Sequence, residues 1–250
     1  IIMTIVKNSK SLSKVLISLS KQSYLPKKII IVSFEKLKKP KYNKLNIKII
    51  KSPKKNQVFQ RTLGLKHLSK SCNILLQLDD RIILRNNALK NLNNCWSVVD
   101  KNVVGIGLNP INIEKKYSGF INYLFTKIGY SGKILKNGMN IRYSNLTEDT
   151  EVMWLMGGLS SWKLAKTLHL YKRNFPMWDW SVGEDIEFCL SIKKNQKLLV
   201  CSEAKVKIIE KKINIDKITS QNRGYFHSLS AKRITNKTKS NKILFNLFAL

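Results

Sequence analysis

Seven residues, Ile74-Leu75-Leu76-Gln77-Leu78-Asp79-Asp80, constrain the fold of this chain more than any other stretch. An apolar run of this length is too short for a helix of its own, and it stops abruptly at two adjacent carboxylates. A buried parallel strand whose carboxyl end opens into a ligand crevice has this pattern. Adjacent acids repel each other and become tolerable once a cation or a hydrogen-bond donor lies between or beside them. A nucleotide ribose and a divalent metal both meet that need. A lone Asp-Asp pair after a strand is more often a solvated turn, so its neighbours decide the reading.

Those neighbours place the strand in a series. Residues 1–6 are rich in β-formers, and Leu12, Val15, Leu16 and Leu19 then recur at helical spacing. Tyr24-Leu25-Pro26 stops that helix, and strands are expected over residues 28–32 and 45–50. A helix over 57–68 precedes the strand at 74–78, and another from about 87 to 99 precedes a strand at 103–108. This alternation predicts an α/β fold: a Rossmann-like, mixed but mostly parallel sheet flanked by helices. Ligands of such sheets bind beyond the carboxyl ends of the strands, which puts Ser33, residues 51–61 and Asp79-Asp80 on one rim.

From about residue 114 to 150 the pattern is less regular, with an aromatic-rich patch at Phe120, Tyr123, Leu124 and Phe125 and glycines at Gly129, Gly132 and Gly138. A strand is then expected over 152–156, broken by Gly157-Gly158, followed by a helix over 162–170. Ser181-Val182-Gly183-Glu184-Asp185 opens a further helix, and 198–201 reads as a final strand. From about Lys211 the chain is basic and polar, with an apolar end at residues 243–248.

At 43% hydrophobic residues, the 250-residue chain has ample material for a core. Its formal net charge of +31, from 46 Lys+Arg against 15 Asp+Glu, favours anionic partners such as phosphorylated substrates or an acidic membrane surface. A nucleic-acid binder is not expected: the chain shows neither zinc-finger spacing nor an RNP-like aromatic segment, and its lysines are dispersed. Cys72, Cys95, Cys189 and Cys201 have no paired spacing and read as reduced, mostly buried thiols of a cytoplasmic protein. Because His67, His169 and His227 lie far from each other and from any cysteine pair, a zinc site is not expected. No apolar stretch reaches bilayer-spanning length. The start reads as a strand rather than a signal peptide, and its lack of an initiator Met is what a fragment or internal domain would show.

A second acidic pair follows Gly183. Glu184 and Asp185 would stand at a helix N-terminus, where the macrodipole favours negative charge. In isolation Gly-Glu-Asp is most often an N-terminal cap, and its functional alternative is a general base that deprotonates an acceptor hydroxyl. Gly157-Gly158 would let backbone approach a bound sugar closely, or merely end a strand.

In order along the chain, these segments resemble family 2 glycosyltransferases of GT-A fold. The residues that carry the likeness are Leu19-Ser20-Lys21-Gln22-Ser23-Tyr24-Leu25-Pro26, Gln60-Arg61-Thr62-Leu63-Gly64, Leu78-Asp79-Asp80-Arg81 (the DxD-type motif), Trp154-Leu155-Met156-Gly157-Gly158 and Gly183-Glu184-Asp185-Ile186-Glu187-Phe188. The resemblance implies a GT-A domain over 1–210, with a nucleotide-binding half at 1–108, an acceptor and catalytic half at 109–210, and a basic C-terminal segment at 211–250. It implies inverting transfer from a nucleotide-sugar to a hydroxyl of a glycan or lipid-linked acceptor, as in synthesis of cell-envelope polysaccharide. Asp79 and Asp80 would hold the ribose and the pyrophosphate, Asp80 with a Mg²⁺ or Mn²⁺ ion, and Arg61 would help at the nucleotide. Gly157 and Gly158 would flank the donor sugar, and Asp185, with Glu184 as the lesser candidate, would take the acceptor's proton.

The departures from the family pattern are specific. Ser33 stands where an Asp commonly reads the base, Ile5-Val6-Lys7-Asn8 replaces Pro-Thr-Tyr-Asn, and Lys205-Val206-Lys207-Ile208 stands where many relatives carry a His. Arg81 replaces the third acid of the Asp-rich motif. Two cations about 4 Å apart repel by about 4 kcal/mol at an effective dielectric near 20, so Arg81 opposes a bound metal. Either Arg81, with Lys54 or Lys55, takes over part of the metal's work on the pyrophosphate, or it turns outward and the metal binds through Asp80 alone. A non-catalytic relative that binds a donor without transferring sugar stays open on the same departures. A sugar nucleotidylyltransferase is disfavoured because Lys7-Asn8-Ser9-Lys10 holds no glycine for a phosphate loop. The basic C-terminal segment and the aromatic patch leave two readings open: peripheral attachment at the anionic inner face of the membrane, or a soluble enzyme whose aromatic patch packs in the core or covers the acceptor site.

Overall fold

The computed structural model describes residues 1–5, 11–38, 40, 42–113, 128–135, 139–172, 183–209, 229–230 and 232–236. Its elements run β1 (Ile2–Ile5), α1 (Ser11–Ser20), β2 (Ile29–Ser33), β3 (Ile47–Lys51), α2 (Gln57–Leu65), β4 (Ile74–Asp79), β5 (Ile82–Leu84), α3 (Ala88–Val98) and β6 (Val103–Pro110). They continue with β7 (Thr150–Val152), β8 (Leu159–Lys163), α4 (Leu164–Thr167), a 3-10 helix over Leu168–Lys172, α5 (Glu184–Leu190) and β9 (Lys197–Ile208). Residues 229–230 and 232–236 are also helical.

The strands form one sheet in the order β3-β2-β1-β4-β8-β6-β9-β5, with β7 added on β9. The first four are parallel throughout, as crossover helices require. Beyond β4 the sheet is mixed: β8 runs antiparallel between β4 and β6, and β9 is parallel to β6 but antiparallel to β5 and β7. Side-chain alternation explains why this sheet needs cover on both faces. Met3, Ile5, Ile31 and Leu78 join the cluster that contains the apolar residues of α1 and α3. Ile2, Ile30, Val32 and Leu75 form a second cluster, against which Leu63 of α2 packs. Each such side chain taken fully out of water contributes about 1.5–3 kcal/mol.

Register sets the rim. Ile5 pairs with Ser33, Ser33 with Lys51 and Thr4 with Asp79, so the strand ends expected to face a ligand lie side by side.

Three expectations are corrected in the second half. Residues 152–156 are not a strand: β7 ends at Val152, and the strand beside β4 is Leu159–Lys163. Its sequence, Leu-Ser-Ser-Trp-Lys, looks polar, but Ser160 and Ser161 are fully buried, and the Ser161 hydroxyl donates to the Ile106 carbonyl at 2.7 Å. The helix expected over 162–170 accordingly begins only at Leu164. The final strand runs on to Ile208, so Lys205-Val206-Lys207-Ile208 belongs to β9 and pairs with β5, which sequence reading missed. The patch at Phe120, Tyr123, Leu124 and Phe125, with Gly138, Ser181-Val182, Val6-Lys7-Asn8 and the apolar end at 243–248, lies outside the described residues. Among the described residues, no helix is long and apolar enough to cross a membrane.

Candidate functional site

Helix α2 brings the first functional side chain to the rim. Its start is set by Asn56, whose side chain accepts the Phe59 N–H at 2.8 Å. Gln60, fully buried, donates to the Ile5 carbonyl at 3.0 Å and ties the helix to the end of β1. Gly64 lets the helix lie close on the sheet, since a Cβ there would come within 3.1–3.2 Å of the Ile2 and Val32 side chains. Arg61, only 7% exposed, is thereby aimed across the rim.

Arg61 joins the two acidic corners. Its Nη1 donates to Glu184 Oε1 at 2.5 Å, and its Nη2 lies 4.0 Å from Asp79 Oδ1. The two glycines complete the junction. Gly157 N–H donates to Asp185 Oδ2 at 3.1 Å, and the Asp79 N–H donates to the Gly158 carbonyl at 3.0 Å. A Cβ at Gly158 would overlap the Asp79 carboxylate, and one at Gly157 would stand 3.1 Å from the Arg61 guanidinium nitrogens. Glycine is therefore required at 158 by the space that the Asp79 carboxylate fills.

Arg61, Gly157, Glu184 and Asp185 line a small pocket together with Val58, Gln77 and Tyr171, among others, and Asp79 lies on its Arg61 side. Asp79, Glu184 and Asp185 surround one guanidinium, so the cluster carries more negative than positive charge. Burial works against the charge on Arg61, but Glu184 and Asp79 outweigh it and hold its pKa above the ordinary value. Burial pushes Glu184 up to about 7 against the pull of Arg61, with Asp185 and Asp79 adding to the rise. Burial also raises Asp185, against the hydrogen bond from Gly157 N–H and the charge of Arg61. A buried carboxylate with a raised pKa and a fixed orientation is suited to taking a proton.

Three further residues belong to the site and were not picked out from the sequence. Gln57 donates to Asp79 Oδ1 at 3.1 Å, and Gln77 donates to the Tyr171 hydroxyl at 2.6 Å on the pocket wall. Gln77 did carry a signal, as an amide inside the apolar run of β4; Tyr171 carried none. Two expected residues do not join the cluster. Ser33 is fully buried, and its hydroxyl donates to the Glu35 carbonyl at 2.8 Å. Arg81 turns to its neighbour, with Nε 3.9 Å from Asp80 Oδ1, while over a third of its side chain remains exposed.

On the rim, Asp79 and Asp80 offer oxygen ligands of the kind a divalent metal takes. Mg²⁺ is usually held by one or two carboxylates plus substrate phosphates, and Asp79 and Asp80 are adjacent, partly exposed carboxylates on the rim. Arg81 is the competing cation for Asp80.

The sheet order, four parallel strands continued by a mixed half and flanked by helices, is that of the GT-A glycosyltransferase fold. Solved structures share it. S. aureus TarS with UDP-GlcNAc superposes with a TM-score of 0.58 at 16% identity, covering 94% of this chain and 65% of that one. The mannosyltransferase PcManGT of Pyrobaculum calidifontis with GDP-Man and Mn²⁺ gives 0.58 at 13% identity, with 93% and 63% covered. GalNAc-T7 with UDP, GalNAc and Mn²⁺ gives 0.59 at 15% identity, with 89% and 47% covered. This chain therefore spans less than two thirds of the length of each. No protein-family profile and no curated protein matches the sequence.

Proposed function

We propose that this protein is an inverting, family 2-like glycosyltransferase that moves a sugar from a nucleotide-sugar to a hydroxyl of a glycan or lipid-linked acceptor. One observation carries the reading: Arg61 binds Glu184 and approaches Asp79, so residues far apart in the chain meet at one guanidinium, and Arg61, Glu184 and Asp185 line one pocket. The acceptor oxygen attacks the anomeric carbon from the face opposite the leaving group. As that bond forms, the bond from the anomeric carbon to the phosphate oxygen breaks, the acceptor's proton passes to Asp185, and the nucleoside diphosphate departs with the electron pair. Glu184 is committed to Arg61, which leaves Asp185 as the base. Asp79 and Gln57 would orient the ribose, and Arg61 would offset charge near the leaving group. A Mg²⁺ or Mn²⁺ ion held by Asp80 and the donor's phosphates would neutralise charge on the diphosphate.

The test is a thermal-shift screen of nucleotide-sugars with and without Mg²⁺ or Mn²⁺, followed by transfer and donor-hydrolysis assays. Asp185→Asn should lower turnover by about 10²–10⁴-fold with little change in donor affinity. Because burial raises the Asp185 pKa, activity should fall with decreasing pH above the range of an ordinary Asp. Donor binding without any turnover in the unmodified protein would identify a non-catalytic sugar-nucleotide binder. Steep, salt-dependent binding to random oligonucleotides with no affinity for nucleotide-sugars would reject the reading.

A further inference from the structure

The sequence gives no reason to pair Cys95 with Cys201, which lie on different elements, α3 and β9. The fold brings them together with Asp149, from the segment just before β7, and one donor atom from each lies within 4.8 Å of the others. Both thiols are buried, at 5% and 3% exposure, whereas Asp149 is exposed and opens the group to solvent. Asp149 is held in a definite orientation. Its Oδ1 accepts the Ser202 N–H at 2.8 Å and the Ser202 hydroxyl at 2.9 Å, and its Oδ2 accepts the Cys95 thiol at 3.5 Å. Cys201 Sγ lies 3.8 Å from the Asn91 carbonyl.

We propose that Cys95, Cys201 and Asp149 form a binding site for a thiophilic divalent cation, Zn²⁺ by its chemistry. Cysteine sulfur and carboxylate oxygen are both ligand types that zinc accepts, and the solvent side can supply water as the fourth ligand. Ligands about 2.3 Å from a tetrahedral ion stand about 3.8 Å apart, so the present spacing needs only a small contraction. The Cys95 thiol donates to Asp149 Oδ2 and the Cys201 thiol to the Asn91 carbonyl, both weak hydrogen bonds that a cation held by the thiolates would replace. The paired donors on Oδ1 are the kind of outer support that fixes a ligating carboxylate. Hard cations such as Mg²⁺ and Ca²⁺ are excluded by the two sulfurs. On binding, each thiol loses its proton to solvent and the sulfur donates a lone pair to the ion. The ion would staple α3 and the approach to β7 onto β9. This inference rests on the fold alone and stands apart from the sugar-transfer reading.

The test uses the whole chain, reduced and stripped with chelator, titrated with Co²⁺ as a spectroscopic substitute. Saturation at one equivalent is expected, with thiolate-to-cobalt charge transfer in the near ultraviolet, tetrahedral visible bands, and loss of both on adding Zn²⁺. Cys95→Ser and Cys201→Ser should abolish the charge-transfer band, and Asp149→Asn should weaken binding by about tenfold or more. Cys72→Ser should leave the spectrum unchanged. If a serine variant fails to fold, alkylation of the unmodified protein decides: Zn²⁺ should slow modification of Cys95 and Cys201 but not of Cys189. No cobalt spectrum, a spectrum that survives Cys201→Ser, or Zn²⁺-independent alkylation would overturn the proposal. So would ready formation of a Cys95–Cys201 disulfide by a mild oxidant with no cobalt binding, which would make the pair a redox couple instead.

Discussion

Gly158 shows how tightly single residues define the candidate site. The space for its missing side chain is filled by the Asp79 carboxylate, so Gly158→Ala must displace the residue proposed to hold the ribose. Calorimetry should then show donor affinity reduced at least tenfold, with the unfolding midpoint changed far less than the affinity. Glu184 makes a pH prediction. Its pKa in the folded protein is raised from 4.5 to about 7, so the folded state binds the proton more tightly than the unfolded state does. Stability tied to this group is present below pH 4.5 and declines as pH rises toward about 7. Glu184→Gln should remove on the order of 1–3 kcal/mol of that decline, read as the difference between variant and unmodified urea curves at several pH values. At this scale Asp79, Asp80, Arg61, Gly157, Gly158, Glu184 and Asp185 were all legible as candidates. What no linear motif revealed is that one guanidinium joins both acidic corners.

Helix α5 is short, and its placement depends on the helical residues at 229–230 and 232–236. Arg233 Nη2 donates to Glu187 Oε2 at 2.6 Å, and Glu187 is 1% exposed. Ile234 lies in the same buried cluster as Leu155, Ile186 and Phe188. Gly183, at φ +73°, leads into the helix in a conformation suited to glycine, and a Cβ there would also overlap the Ser230 hydroxyl. Part of the basic C-terminal segment thus supports the helix that carries Asp185. Taking the cation from a buried carboxylate is costly, so Arg233→Met should destabilise the protein by on the order of 2–4 kcal/mol in urea denaturation. Arg233→Lys should recover part of that loss. Elements with strong periodicity, such as α1, β2, α2 and α3, were readable in advance. Strand β8 was not, because its buried serines look polar in the sequence and are satisfied inside the fold: Ser161 with Ile106 and Trp96, and Ser160 with Trp162 and Gly157.

At the scale of the whole molecule, the net charge of +31 comes from lysines dispersed along the chain, and some of them fall on an edge of the sheet. Lys48 and Lys51 lie on edge strand β3, where charge also discourages unwanted strand pairing. Burial, with Lys48, Lys28 and Lys66 around it, holds the His67 pKa below its ordinary value. Each Lys or Arg near an anionic bilayer contributes about 1 kcal/mol of attraction. The chain should therefore sediment with vesicles containing anionic lipid, release as salt rises, and ignore neutral vesicles; equal pelleting with both would contradict peripheral electrostatic attachment. The sequence by itself determined the strand and helix succession of the first hundred residues apart from β5, because burial on both faces of parallel strands leaves long apolar runs and helical spacing leaves its own period. It also marked the acidic corners, because adjacent carboxylates at the end of an apolar run are conspicuous. Only the tertiary structure decided which distant side chains meet: Arg61 with Glu184, Arg233 with Glu187, and Cys95 with Cys201. Such meetings depend on strand order and on how helices cross the sheet, and neither is written in the local spacing of residues.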